Sequence, residues 1–253
     1  TDLMKVVTDT DFICKTTVMG PAFGILVLEN CGGNAEAEAV YLQHLLDKQL
    51  EDGGWALSGD LSDPDVTSMA LQALAKYRTQ TDVKKAIDKA LGWLSANRNR
   101  DGTFSVEGIP TCESTAQVLV ALSALGIDVT DSRFVKGGNT VEAALLSFYI
   151  EGKGFVHTKD GSTDGMATEQ GHYALAAYFR MRSGKTALYD MTDVIDRGGD
   201  VPAAEPMGTE PAPMETEELP EEDGRSFPWW IVILIALLAG AILVLLIIRK
   251  RIA

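Results

Sequence analysis

The sequence predicts an all-α domain of stacked helical hairpins followed by a single membrane-spanning helix. Three observations carry this. Aromatic residues recur at Trp55, Phe104 and Phe155, 49 and 51 residues apart, each just after a glycine-bearing turn. Between them two kinds of helical segment alternate, one amphipathic and one apolar on nearly every face. Near the end, residues 229–248 run for 20 positions without a charge. A period near fifty with two helices per unit is how hairpins bury their apolar faces on one another.

The elements follow in chain order. An apolar stretch from Phe12 to Leu28 reads as the remnant of an incomplete repeat, and further repeats are expected before Thr1, which is not an initiator methionine. Ala37, Val40, Tyr41, Leu45 and Leu46 fall at three-to-four spacing and predict an outer, amphipathic helix. Val83, Ala86, Ile87, Ala90, Leu91 and Leu94 predict a second outer helix with Asp82 as its N-cap. Val141, Ala144, Leu145, Phe148 and Tyr149 predict the third. The inner segments align as Thr67–Leu74, Thr115–Leu122 and Gly171–Tyr178. The first two are apolar all round, as expected of helices enclosed by neighbours.

Residues 1–197 form the repeat domain. Residues 198–227 carry proline and acid with scarcely any bulky aliphatics. Such a stretch cannot bury enough apolar surface to offset ordering entropy, so it predicts an extended spacer. Residues 228–248 are long enough to span the ~30 Å hydrocarbon core. Trp229 and Trp230 suit the headgroup boundary, and the bases of residues 249–253 belong on the cytoplasmic side. The repeat domain is then extracellular on a single-pass protein. Leu219-Pro220-Glu221-Glu222-Asp223 resembles a sortase signal, but acids stand where that signal has threonine and glycine, which favours a membrane anchor over wall attachment.

The formal net charge is −14, and the three C-terminal bases leave about −17 on the rest. Nucleic acid is an unsuitable partner for such a surface. Three cysteines, Cys14, Cys31 and Cys112, make no disulfide framework, and at most Cys14 and Cys31 pair. No Cys/His spacing calls for zinc. No nucleotide loop or hydrolase elbow is present.

Gln49-x-x-x-Gly53-x-Trp55 resembles the QW motif of squalene cyclases, and the joint-and-hairpin plan resembles the α/α toroid of terpenoid cyclases, protein prenyltransferase β subunits and cobalamin carriers. The likeness covers about residues 20–190. It implies a structural role for Gln49, Gly53 and Trp55, tying helix ends together. It also implies a partial toroid, whose closed members have five or six hairpins. Asp63-Pro64-Asp65-Val66-Thr67 resembles the Asp-x-Asp-Asp-Thr motif of class II terpene cyclases, which makes Asp63 and Asp65 the candidate catalytic residues, Asp65 as the acid. Val66 replaces the last aspartate. The same residues suit a helix start, with Asp63 as N-cap and Pro64 at the first helical position. Against the zinc site of prenyltransferases, Cys112 aligns with the cysteine, but Pro110 and Gln170 stand where aspartate and histidine are needed.

With the inner helices aligned on Met69, Gln117 and Tyr173, one position holds Asp65, Glu113 and Glu169. Parallel inner helices would gather these acids at one mouth of the toroid. Asp65, Glu113, Glu169 and Tyr173 are therefore the candidate ligand-binding residues, for a cation or a hydroxyl-rich molecule. Dipole stabilisation at three helix starts explains the same acids without a ligand. His44, His157 and His172 read as isolated, and Asp160–Asp164 as a polar turn. The function expected is non-catalytic binding of a ligand by a membrane-tethered module. A corrinoid is a candidate by resemblance to the cobalamin carriers, with no cofactor or metal required. The alternatives are a terpene cyclase-like enzyme using Asp65 and a protein-interaction scaffold.

Overall fold

A computed structural model describes residues 3–190 together with 192 and 193. The spacer, the membrane-spanning segment and the basic tail expected from the sequence lie outside the described residues. Among the described residues no helix is long and apolar enough to cross a membrane.

The described part is mostly helical. Two short helices, α1 (Leu3–Val7) and α2 (Thr10–Ile13), lead into α3 (Met19–Asn30) and α4 (Ala35–Asp47). Then follow α5 (Pro64–Leu74), α6 (Thr81–Ala96), α7 (Cys112–Ala124), α8 (Val141–Leu146) and α9 (Gly165–Arg182). Short antiparallel ribbons occupy two joints, β1 (Phe104–Val106) with β2 (Ile109–Thr111) and β3 (Tyr149–Ile150) with β4 (Gly154–Phe155). Helices α3, α5, α7 and α9 pack each on the next as an inner row, while α4, α6 and α8 lie outside them. The expected remnant is α3, a full inner helix.

Burial follows the predicted division of labour. Nearly all of α7 from Cys112 to Ser123 is buried, Glu113 being the exception. Helix α6 buries Val83, Ala86, Ile87, Ala90, Leu91 and Leu94, the stripe read from the sequence. In α4 the stripe is shifted: Val40 is 42% exposed and Leu42 is buried instead. Last in the row, α9 is covered on one side only, so Met166 and Phe179 face solvent.

Helix starts are capped by side chains. Asn34, Asp63, Thr111, Thr140 and Asp164 each accept from a backbone N–H in the first turn, which satisfies donors that have no partner inside the helix. Asp63 and Pro64 do as expected. Asp82 does not: α6 is preceded by Gln80 with no side-chain cap, and Asp82 lies in the first turn, paired with Lys85 at 3.5 Å. The third outer helix stops early. It ends at Leu146, Ser147 closes back on the Ala144 carbonyl at 2.6 Å, and Tyr149 enters a strand paired with Phe155. All three cysteines are free, so the Cys14–Cys31 pair left open by the sequence is not made.

Candidate functional site

The three joints share one geometry. Each aromatic is fully or almost fully buried and donates its backbone N–H to a threonine hydroxyl in the following inner helix. The pairs are Trp55 to Thr67 at 2.9 Å, Phe104 to Thr115 at 3.1 Å, and Phe155 to Thr168 at 3.0 Å. Gln49 completes the first joint: its Nε2 donates to the Gly53 carbonyl and to the Ala86 carbonyl of α6, both at 2.8 Å. Trp55 Nε1 donates to the Leu45 carbonyl at 2.8 Å. Gly53 has φ +99, and a Cβ there would stand 2.9 Å from the Lys89 carbonyl oxygen, so this turn needs glycine. Gln49, Gly53 and Trp55 thus meet at the joint between α4 and α6.

The threonines also correct the alignment of the third repeat. Thr67, Thr115 and Thr168 each begin Thr-x5-Ala-Leu, ending at Leu74, Leu122 and Leu175. The third segment is therefore Thr168–Leu175, three residues earlier than Gly171–Tyr178. In this register Asp65 and Glu113 match Met166. Glu169 lies in the second turn of α9, whose first turn holds no acid, and is exposed. Among the described residues no group of three or more His, Cys, Asp or Glu is arranged to hold a metal ion.

Asp63 is committed to its cap, accepting from the N–H groups of Asp65 and Val66. Asp65 is half-buried, and its Oδ1 has no hydrogen-bond partner among the described residues. Burial pushes its carboxyl up to about 6, helped by the charges of Asp63 and Glu113 and opposed by the Ser114 hydroxyl and His157. Glu113 accepts from or shares a proton with His157 Nδ1 at 2.8 Å, so this histidine is not isolated. Cys112 is fully buried and its thiol, pushed up to about 12 chiefly by burial, lies 3.6 Å from the Ala167 carbonyl. A thiol so raised is a poor nucleophile at neutral pH. His44 and His172 take no part, though the His172 ring meets Phe155 edge-on at 5.5 Å.

Deeper along the inner row runs a relay of side-chain amides that was not singled out from the sequence. Gln72 Nε2 donates to Gln117 Oε1 at 3.0 Å, and Gln117 Nε2 donates to Gln170 Oε1 at 2.9 Å and to the Tyr173 hydroxyl. A polar residue inside SMALQALA or AQVLVALSALG was the available signal. Beyond Gln72 the C-terminal ends of α3, α5, α7 and α9 line an open-sided cavity of about 290 Å³. The chain after α9 crosses it as a strap, with Leu188, Tyr189 and Asp190 in its lining. Arg180 clamps this strap, bonding the Thr186 carbonyl at 3.1 Å, the Thr186 hydroxyl at 2.7 Å and Asp193 at 2.5 Å. Of the four candidate ligand residues, Tyr173 joins the amide relay, Asp65 and Glu113 are within electrostatic reach of each other, and Glu169 stands outside at the surface.

No family model matches the chain, and no curated protein matches it. Among solved structures, Candida albicans protein geranylgeranyltransferase-I complexed with GGPP is similar at 15% sequence identity and a TM-score of 0.47. The match covers 66% of this chain and 50% of that one.

Proposed function

We propose that the chain is a non-catalytic ligand-binding module, part of an α/α toroid, held outside the cell by a C-terminal membrane helix. The observation that carries the binding reading is the 290 Å³ cavity between the ends of four inner helices, with polar and apolar lining under a clamped strap. A site of this volume is near the low end for small-molecule pockets. It suits a ligand much smaller than a corrinoid. The anchoring rests on the uncharged run of residues 229–248 and the bases that follow it.

The test is a thermal-shift screen of small polar ligands on the full chain in detergent. A binder stabilises the folded state by RT ln(1 + [L]/Kd). Ala124→Phe, which fills the cavity, is expected to abolish the shift while leaving the ligand-free fold intact. A stabilising ligand indifferent to Ala124→Phe would place the site elsewhere. Protease applied to intact cells is expected to remove the repeat domain, and protection of it would reverse the orientation.

A second reading is favoured by Asp65 alone. A half-buried carboxyl raised to about 6, with one oxygen free of partners, resembles an acid poised to donate a proton. Turnover of a polyprenoid substrate that disappears in Asp65→Asn would establish it.

A further inference from the structure

The cavity under the strap presents acceptors on its floor. Glu29 of α3 lines it, and its half-buried side chain makes no hydrogen bond among the described residues. The base that most affects Glu29 is Lys76, and its Nζ is engaged 3.2 Å from Glu38. Gln72, 5% exposed, also lines the cavity; its amide donates to Gln117, and its oxygen has no hydrogen-bond partner among the described residues. The Ser123 hydroxyl donates to the Leu119 carbonyl at 2.7 Å, leaving its oxygen as a third acceptor. Asp190 on the strap adds negative charge near Glu29. The surrounding wall is apolar, with Leu26, Val120, Met181 and Leu188.

The half-buried Glu29 carboxylate and the Gln72 oxygen leave acceptor capacity in the cavity that an entering donor can fill. We propose that the cavity binds a small organic ammonium ion with an apolar body, its N–H groups donating to Glu29 and to the Gln72 oxygen. This rests on the binding reading above and adds the ligand class. The volume corresponds to about ten non-hydrogen atoms, at roughly 30 Å³ for each water displaced. The aliphatic body meets the apolar wall, and Tyr189 is among the residues around it. The bases Arg78 and Lys185 also line the cavity, and both have partners within the protein: Arg78 donates to the Ala75 carbonyl at 3.3 Å and Lys185 lies 4.0 Å from Asp193. Burial raises the Glu29 carboxyl above its ordinary value, and a bound cation would bring it back down.

Three probes of one shape test this on the full chain in detergent: leucinamide, leucine and 4-methylpentanoate, by calorimetry and thermal shift. Leucinamide and leucine are expected to bind and 4-methylpentanoate to fail. Glu29→Gln keeps the shape and is expected to weaken leucinamide roughly tenfold or more, the loss of a charged hydrogen-bond partner. Should Glu29→Gln fail to fold, the contrast between leucinamide and 4-methylpentanoate on the unaltered chain still decides. Binding of 4-methylpentanoate without leucinamide overturns the ammonium assignment. Unchanged leucinamide affinity in Glu29→Gln, or no binding of either amine at about 10 mM, overturns it too. If 4-methylpentanoate alone binds and Ala124→Phe abolishes it, the binding module stands and only its ligand class falls.

Discussion

Thr67→Val removes one hydroxyl and almost no volume, which isolates the hydrogen bond at the first joint. Trp55 and Thr67 are both fully buried. The Trp55 N–H donates to Thr67 Oγ1 at 2.9 Å and has no other partner among the described residues. The Trp55 carbonyl is less exposed to the change, since Asp63 N–H also donates to it at 2.9 Å. The substitution therefore strands one buried donor, at a cost of about 1–3 kcal/mol. For a domain of this size that lowers Tm by roughly 2–10 °C. Thr67→Ser keeps the hydroxyl and loses a methyl group, about 1 kcal/mol. Urea unfolding and thermal melts followed at 222 nm should place serine between wild type and valine. Thr168→Val should cost a similar amount, because the N–H it would strand belongs to Phe155, which is as buried as Trp55. A valine variant as stable as wild type, or serine worse than valine, would show that the joint is held by packing alone.

Stability should also depend on pH through Asp65. Its folded value, about 6, lies above the ordinary carboxylate value, so folding favours the protonated form. That contribution is complete below about pH 4 and is lost as pH rises through 6. Asp65→Asn should flatten this part of the profile and gain roughly 1–2 kcal/mol at pH 7, after discounting solvent screening of a half-buried group. An unchanged profile in urea titrations would refute it. Arg98 occupies in the second joint the place of Gln49 in the first, six residues before the aromatic. It is 3% exposed, and its Nε and Nη1 have no partner among the described residues. Arg98→Gln should raise stability by about 1 kcal/mol or more, because an unpaired buried charge is removed; a loss in urea unfolding would refute this. Arg180→Ala should release the strap, and trypsin should then cut at Lys185 several-fold faster with α9 still helical by circular dichroism. Equal cleavage rates would mean that the strap is held by its apolar contacts.

The alternation of amphipathic and all-apolar segments, the aromatic joints and the Asp63–Pro64 start were legible in the residue order because each depends on neighbours a few positions away. Periodicity shows which face of a helix is buried, and a cap shows where it begins. The third repeat was misaligned by three residues for the same reason. α5 contains Ala-Leu twice, at Ala70-Leu71 and Ala73-Leu74, and a slide of three turns a helix by only about 60° from its starting face. Either register buries nearly the same stripe. What chose between them is the bond from each aromatic N–H to a threonine 11 to 13 residues on, a contact that exists only once the joint has closed. Tyr149 left its expected helix because strand pairing with Phe155, and ring contact at 5.1 Å, took the backbone elsewhere. The cavity, the free Glu29 and the amide relay from Gln72 to Gln170 draw on four inner helices far apart in the chain. Local pattern places each of these side chains on a helix, but only the packing of one helix against the next decides which of them meet and which are left without a partner.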